Sequence, residues 1–130
     1  MDSTTETYIR NCLRDLERPE TPSLIAGFEH SSEVHAEIEA FKCFGKSITY
    51  AEVDARSRDF AAYLIGACGL SKGDRIAIQL PNLVQYPIVA WGALRAGLVV
   101  VNTNPLYTKR ELIYQFNDSG AKALVSLSNN

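Results

Sequence analysis

The sequence predicts an α/β protein in which helices flank a parallel sheet, preceded by a small N-terminal β-hairpin. Three features carry that expectation. Two S/T-x-x-E boxes, Thr49 to Glu52 and Thr108 to Glu111, mark helix starts, because the hydroxyl and the carboxylate satisfy two backbone donors that a helix start leaves unbonded. Short apolar runs at 74–80, 98–101 and 123–127 have the length of buried strands, and the first two end at turn-forming residues. From residue 49 onward helix and strand alternate, an order that calls for right-handed crossovers with helices packed on parallel strands.

Residues 1–22 form a polar lead segment. It carries Pro19 and Pro22, and its apolar residues Tyr8, Ile9, Cys12, Leu13 and Leu16 fit one short amphipathic helix. Residues 23–130 make the α/β unit. Ser23 is placed to cap a helix whose apolar stripe is Leu24, Ile25 and Phe28. Ala40 to Phe44 and Ser47 to Thr49 are short extended runs around Gly45-Lys46, which predicts a hairpin whose first turn residue, Gly45, takes positive φ. The helix opened by Thr49 has Ile48 and Val53 at the positions of a hydrophobic staple. Phe60, Ala61, Leu64 and Cys68 supply its inner face, Asp54, Arg58 and Asp59 face water, and Gly69 ends it.

In the strand at 74–80, Ile76, Ile78 and Leu80 share one face and Ala77 lies on the other, as expected of a strand covered on both sides; Pro81-Asn82 stops it. Asn82 with Gln85 is a weaker cap signal for the next helix, which closes at Gly97. Pro87 fits either as an early kink after a start at Leu83 or as the first helical residue after a start near Tyr86. Ile88, Val89, Trp91, Leu94 and Ala96 leave this helix little polar surface, so it is expected to be largely buried. Leu98 to Val101 reads as an interior parallel strand. The last helix begins at the Thr108 box with Tyr107 and Leu112 as its staple, ends at Gly120, and leads into the strand at 123–127. The sequence stops three residues after that strand, where a doubly wound domain adds further helices and strands. The expectation is an incomplete first part of a larger domain, with an exposed sheet edge open to self-association.

Composition narrows the function classes. At 46% hydrophobic and 22% charged, the 130 residues can bury a real core, which argues against a disordered, collagen-like or disulfide-stapled chain. A net charge of −2 lacks the basic surface that neutralising a phosphate backbone requires, so no nucleic-acid partner is expected. Lys72, Arg75, Arg95, Lys109, Arg110 and Lys122 read as solvated surface charges. Cys12, Cys43 and Cys68 have no CxxC spacing and read as free thiols of a reducing compartment. His30 and His35 are off the i, i+4 spacing of one helical face and read as surface or structural. No secretory signal pattern leads the chain, and its most apolar run, 86–101, is broken by Arg95 and Gly97 and falls short of the ~20 residues that cross a bilayer. A cytoplasmic protein is expected, with membrane contact limited to a peripheral one at the inner face.

In open α/β sheets, ligands gather beyond the carboxyl ends of the strands. Two loops qualify: Pro81-Asn82, and 102–108 with Asn102, Thr103, Asn104 and Tyr107. Their amides and hydroxyls suit ligand contact, yet Asn and Pro are also standard turn formers, and the structural role is favoured. Gly66, Gly69 and Gly73 lack the GxxxxGKS/T order of a phosphate loop and read as cap and turn glycines. No GxSxG or HExxH occurs, and Glu37 with Glu39 has no evident apolar surroundings to raise a pKa. The residues therefore nominate no catalytic, cofactor-binding or metal-binding side chain, and independent catalysis is not expected.

The stretches ITYAEVDARSRDFAAYL (48–64), GDRIAIQLPN (73–82), GALRAG (92–97), NPLYTKREL (104–112) and QFNDSGAKAL (115–124) together resemble the amino-terminal region of bacterial long-chain fatty-acid–CoA ligases, in the adenylate-forming superfamily. The likeness runs from Ile48 to Leu127 and fades before Ser23. It implies a two-step reaction: ATP and a fatty acid give an acyl adenylate and pyrophosphate, and the CoA thiol then displaces AMP. Mg2+ supports the first step by neutralising phosphate charge. It also implies that the phosphate loop, the adenine and magnesium contacts and a catalytic lysine lie downstream of these residues. ATP, Mg2+ and CoA are then cofactors of the full-length protein, and none is expected to bind this piece tightly. The resemblance implies a scaffold inactive alone, with amino-terminal surfaces available for a homodimer. Two alternatives stay open: a stand-alone α/β binding or oligomerisation module, and a piece of another acyl- or aryl-CoA ligase.

Overall fold

Both capping boxes form as hydrogen-bonded pairs: Thr49 Oγ1 accepts the Glu52 N–H while the Glu52 carboxylate accepts the Thr49 N–H, and Thr108 and Glu111 repeat the exchange. Ser23 caps likewise, its Oγ accepting the Ala26 N–H. The computed structural model describes residues 2–15 and 22–128. In chain order the elements are α1 (Ser3–Asp15), α2 (Leu24–Val34), β1 (Glu39–Cys43), β2 (Lys46–Thr49), α3 (Tyr50–Gly66), β3 (Arg75–Gln79), α4 (Gln85–Arg95), β4 (Val99–Asn102), α5 (Lys109–Ser119) and β5 (Ala123–Ser126). The α/β class, the hairpin and the alternation that follows it are those read from the sequence. Of the lead-segment stripe, Tyr8, Ile9, Cys12 and Leu13 lie on α1, and Leu16 lies outside the described residues.

The sheet has the order β4-β3-β5, with both pairings parallel. Ile76, Ala77 and Ile78 on β3 are at most 1% exposed, as befits a strand with neighbours on both edges and cover on both faces. The chain moves from β3 outward to β4 and then back past β3 to β5, so right-handed crossovers put α4 and α5 on opposite faces. On the α4 side, Ala61 and Leu64 of α3 meet Ile76, Ala93, Ala96 and Leu98 in one core, joined by the half-buried Val100, Ala123 and Val125. The other face is thinner. No residue of α5 is fully buried, and Val99, opposite Arg75, and Leu124, opposite Ala77, stay 47% and 48% exposed.

α3 and α4 cross closely. A Cβ at Gly92 would lie 2.8 Å from a ring carbon of Phe60 and 3.0 Å from the Ser57 carbonyl oxygen, so only glycine admits this approach. One turn on, the Arg95 side chain is only 8% exposed. It donates to Glu29 of α2 at 2.8 Å, to Ser57 Oγ of α3 at 3.1 Å and to Asp54 of α3, with its guanidinium carbon 5.8 Å from the centre of the Phe28 ring. Arg58 closes the network against Asp54 and Glu29. Phe28 in turn stacks on Trp91 with ring centroids 4.5 Å apart, and with Ile48 and Val53 it forms a second core beneath the hairpin.

Several expectations need correction. Arg95 is a buried junction rather than a solvated charge, with Asp54, Glu29 and Ser57 as its partners; of the three residues expected to face water, Arg58 and Asp59 are exposed, and Asp54 is half-buried against Arg95. Cys68 and Leu24, expected on inner faces, are exposed. The hairpin turn is Phe44-Gly45, not Gly45-Lys46: both residues take positive φ, 51° and 75°, the type I′ geometry whose twist matches paired strands. Asn82 makes no cap. Helix α4 starts at Gln85 with Val84 in the cap position and no side-chain bond to it. Pro87 therefore sits third in the helix, within the first turn, where a missing N–H loses no intrahelical bond. Finally, the β-branched run at 98–101 forms an edge of the described sheet, because β5 rather than a further strand takes the other side of β3.

Two substitutions probe this packing. Gly92→Ala forces the helices apart and is expected to destabilise by about 1–3 kcal/mol, read as a lower midpoint in urea unfolding. Arg95→Met removes three charge-assisted bonds but leaves acids that water still reaches, so its cost is expected near 1–3 kcal/mol; Arg95→Lys recovers little, because one ammonium cannot span Glu29, Ser57 and Asp54.

Candidate functional site

The carboxyl ends of β3, β4 and β5 come together around Gln79, the last residue of the central strand and only 8% exposed. Its Nε2 donates to the Asn104 carbonyl at 3.5 Å, and its Oε1 accepts the Ser126 hydroxyl at 3.3 Å. One glutamine thus ties the loop after β4 to the end of β5. The reversal of strand order at β3 and β5 is the kind of switch point where such sheets open a crevice.

The loop residues nominated from sequence are brought to this end, and several of their polar groups bond within the fold. Asn102 accepts the Tyr86 hydroxyl on its side-chain oxygen and the Gln115 amide on its carbonyl. Thr103 is buried, with its N–H on the Ile78 carbonyl and its hydroxyl on the Val101 carbonyl. Asn104 closes its own turn, accepting the Leu106 N–H at 2.9 Å on its side chain. Tyr107 is 37% exposed. Asn82 contributes its carbonyl, which accepts the Cys43 thiol proton. Gln79, Tyr86, Gln115 and Ser126 were not singled out from the sequence; the one available signal was a glutamine closing an otherwise apolar strand.

The displaced acidity lies at the opposite pole. Asp74, at the start of β3, is held below the usual aspartate range by the Ser71 N–H at 2.9 Å and then by Lys122 at 3.0 Å. That contact ties the start of β5 to the start of β3 and is structural. Among the described residues no group of three or more His, Cys, Asp or Glu is placed to hold a metal ion, and no helix is long and apolar enough to cross a membrane. Beside the first turn of α4 an apolar cavity of about 520 Å³ opens between β1 and α4, lined in part by Phe41, Cys43, Leu83, Val84, Trp91 and Leu94. A neighbouring hollow of about 650 Å³ shares Phe41 and Trp91 with it and runs back to Pro22 and Leu24.

Parallel strands in this order, ending in loops that bond to one another, define a doubly wound α/β scaffold. Solved structures share it: a benzoate CoA ligase from Burkholderia xenovorans LB400 superposes with a TM-score of 0.76 at 30% identity, covering 81% of this chain and 21% of that one. VinN superposes with a TM-score of 0.81 at 26% identity, over 87% of this chain and 30% of that one. The chain belongs to the AMP-binding enzyme family, whose model matches residues 28–130. Among its relatives, the long-chain-fatty-acid–CoA ligase of Salmonella typhimurium is 52% identical over 107 residues, 82% of this chain. That of Haemophilus influenzae is 43% identical over 124 residues, 95% of this chain. The chain spans only 19% and 22% of the length of these two proteins.

Removing the amide at the carboxyl pole tests its role. Gln79→Ala is expected to cost about 1 kcal/mol and to speed amide hydrogen exchange at 103–107 more than in β1 or β2; uniform exchange would place the loop's order elsewhere.

Proposed function

We propose that this chain is the N-terminal scaffold portion of an ATP-dependent long-chain-fatty-acid–CoA ligase, the whole polypeptide converting a fatty acid, ATP and CoA to acyl-CoA, AMP and pyrophosphate. The observation that carries the reading is the 52% identity over 107 residues to a protein of that name. Residues 23–130 are the α/β unit and 1–22 a lead segment. Within the unit no residue acts as a catalytic group or as a cofactor or metal ligand; Mg2+, nucleotide and CoA contacts belong to other parts of the polypeptide. The unit's task is mechanical. It supplies a buried central strand, carboxyl-end loops fixed by Gln79, and a β5 whose outer edge accepts further sheet. Such an open edge also suits pairing with a second copy when the rest of the sheet is absent. A peripheral position at the cytoplasmic face of a membrane fits the amphiphilic substrate, and three free thiols fit a reducing compartment.

The test is an assay of the full-length protein with ATP, Mg2+, CoA and either oleate or benzoate. Oleoyl-CoA and pyrophosphate are expected to form, with benzoate a poor substrate; a preference for benzoate would move the protein to the aryl-CoA branch. The 130-residue chain assayed alone is expected to release no pyrophosphate, and sustained release would overturn the scaffold role.

A further inference from the structure

The turn of the hairpin carries a residue that folding does not favour. Phe44 stands at the first position of a type I′ turn with φ 51°, where Asn, Asp and Gly are preferred and a bulky side chain is strained. Among the described residues it is the one residue other than glycine at positive φ. Its ring is also 89% exposed and belongs to neither apolar core. Local strain and an aromatic ring left in water have one common account, a contact that the ring makes outside the unit.

The surroundings of the ring are basic and otherwise uncharged. Lys42 and Lys46 flank the turn and are exposed, and among the described residues no acid pairs with either. Residues 40–51 contain no acid, and residues 76–94, which include the loop beside the turn, carry no charge. Lys42 stands opposite Ser47 and Cys43 opposite Lys46. Because successive residues of a strand alternate between faces, the two ammonium groups leave the ribbon on opposite sides, with the ring at the tip between them. The tip is held in place, since the Cys43 thiol donates to the Asn82 carbonyl at 2.6 Å. We propose that this tip is a membrane contact: Phe44 enters the boundary between headgroups and acyl chains of an anionic lipid surface, and Lys42 and Lys46 meet its phosphates. A ring between two cations suits that layered partner, apolar within and anionic at its surface. One ring and two lysines give a weak, reversible attachment, which turns the carboxyl end of β3 toward the lipid. This contact rests on the peripheral position proposed above and supplies the residues that make it.

The test is sedimentation of the full-length protein with vesicles of phosphatidylcholine alone or mixed with phosphatidylglycerol, a readout independent of any ligase activity. Binding to the mixed vesicles is expected, weakening as salt rises. Phe44→Asn suits the turn better than the native residue. It is therefore expected to raise the unfolding midpoint or leave it unchanged while cutting the vesicle-bound fraction several-fold. Lys42→Gln and Lys46→Gln are each expected to lower the partition coefficient onto the mixed vesicles about fivefold. Undiminished binding by Phe44→Asn overturns the tip as the contact and leaves the peripheral position standing, whereas failure of the unaltered protein to bind either vesicle overturns both. Equal binding to the two vesicles overturns the anionic partner. A lowered unfolding midpoint for Phe44→Asn overturns the membrane contact in favour of another part of the polypeptide as the ring's partner.

Discussion

The close crossing of α3 and α4 sets the geometry of the α/β unit. Because Gly92 brings no side chain, the Phe60 ring and the Ser57 carbonyl can lie against the α4 backbone. At that separation Leu64, Ala93 and Ala96 share one buried core with Ile76 of the central strand. Arg95, a turn beyond Gly92, uses the same proximity to reach Ser57 and Asp54, and extends it to Glu29 on α2. Three helices are thereby fixed relative to one strand. The acids remain partly hydrated, so the ion pairs add modest net stability. Their larger effect is orientation, because a planar guanidinium with several donors accepts few arrangements of its partners.

That arrangement explains why the two ends of the sheet differ. At the amino end, Asp74 holds Ser71 and Lys122; at the carboxyl end, Gln79 holds Asn104 and Ser126. Both contacts span neighbouring strands, and together they secure β5 on a face that α5 covers only in part. At the carboxyl end, Asn102, Thr103 and Asn104 each bond within the fold through side-chain or backbone groups.

Much of this was legible in the sequence because it is local. Thr49 and Glu52, Thr108 and Glu111, and Ser23 with the Ala26 N–H interact across three residues, and such caps form whatever the rest of the chain does. Gly120 at φ 66° closes α5 for the same reason. Strand and helix order, the buried character of α4 and the α/β class follow from periodicity, which is also a near-neighbour property. The misplaced hairpin turn marks the limit of that logic: Gly45 was legible as a turn residue, but only the register Cys43 opposite Lys46 decides that Phe44 shares the turn with it.

What tertiary structure alone decided involves partners far apart in sequence. Arg95 meets Asp54 and Glu29 across 41 and 66 residues, and no spacing rule connects them; isolated in the sequence, an arginine reads as a solvated charge. The same holds for Gln79 with Ser126, 47 residues away, and for β3 rather than β4 as the central strand. Strand order depends on which edge a crossover returns to, and that is set by the packing of whole helices on a sheet. The sequence by itself thus determined what kind each element is and where the side-chain-capped helices begin, since caps and periodicity act over a few residues. Which strand is central, which charge is enclosed and which polar group holds the carboxyl pole were decided by contacts that exist only once the chain has folded.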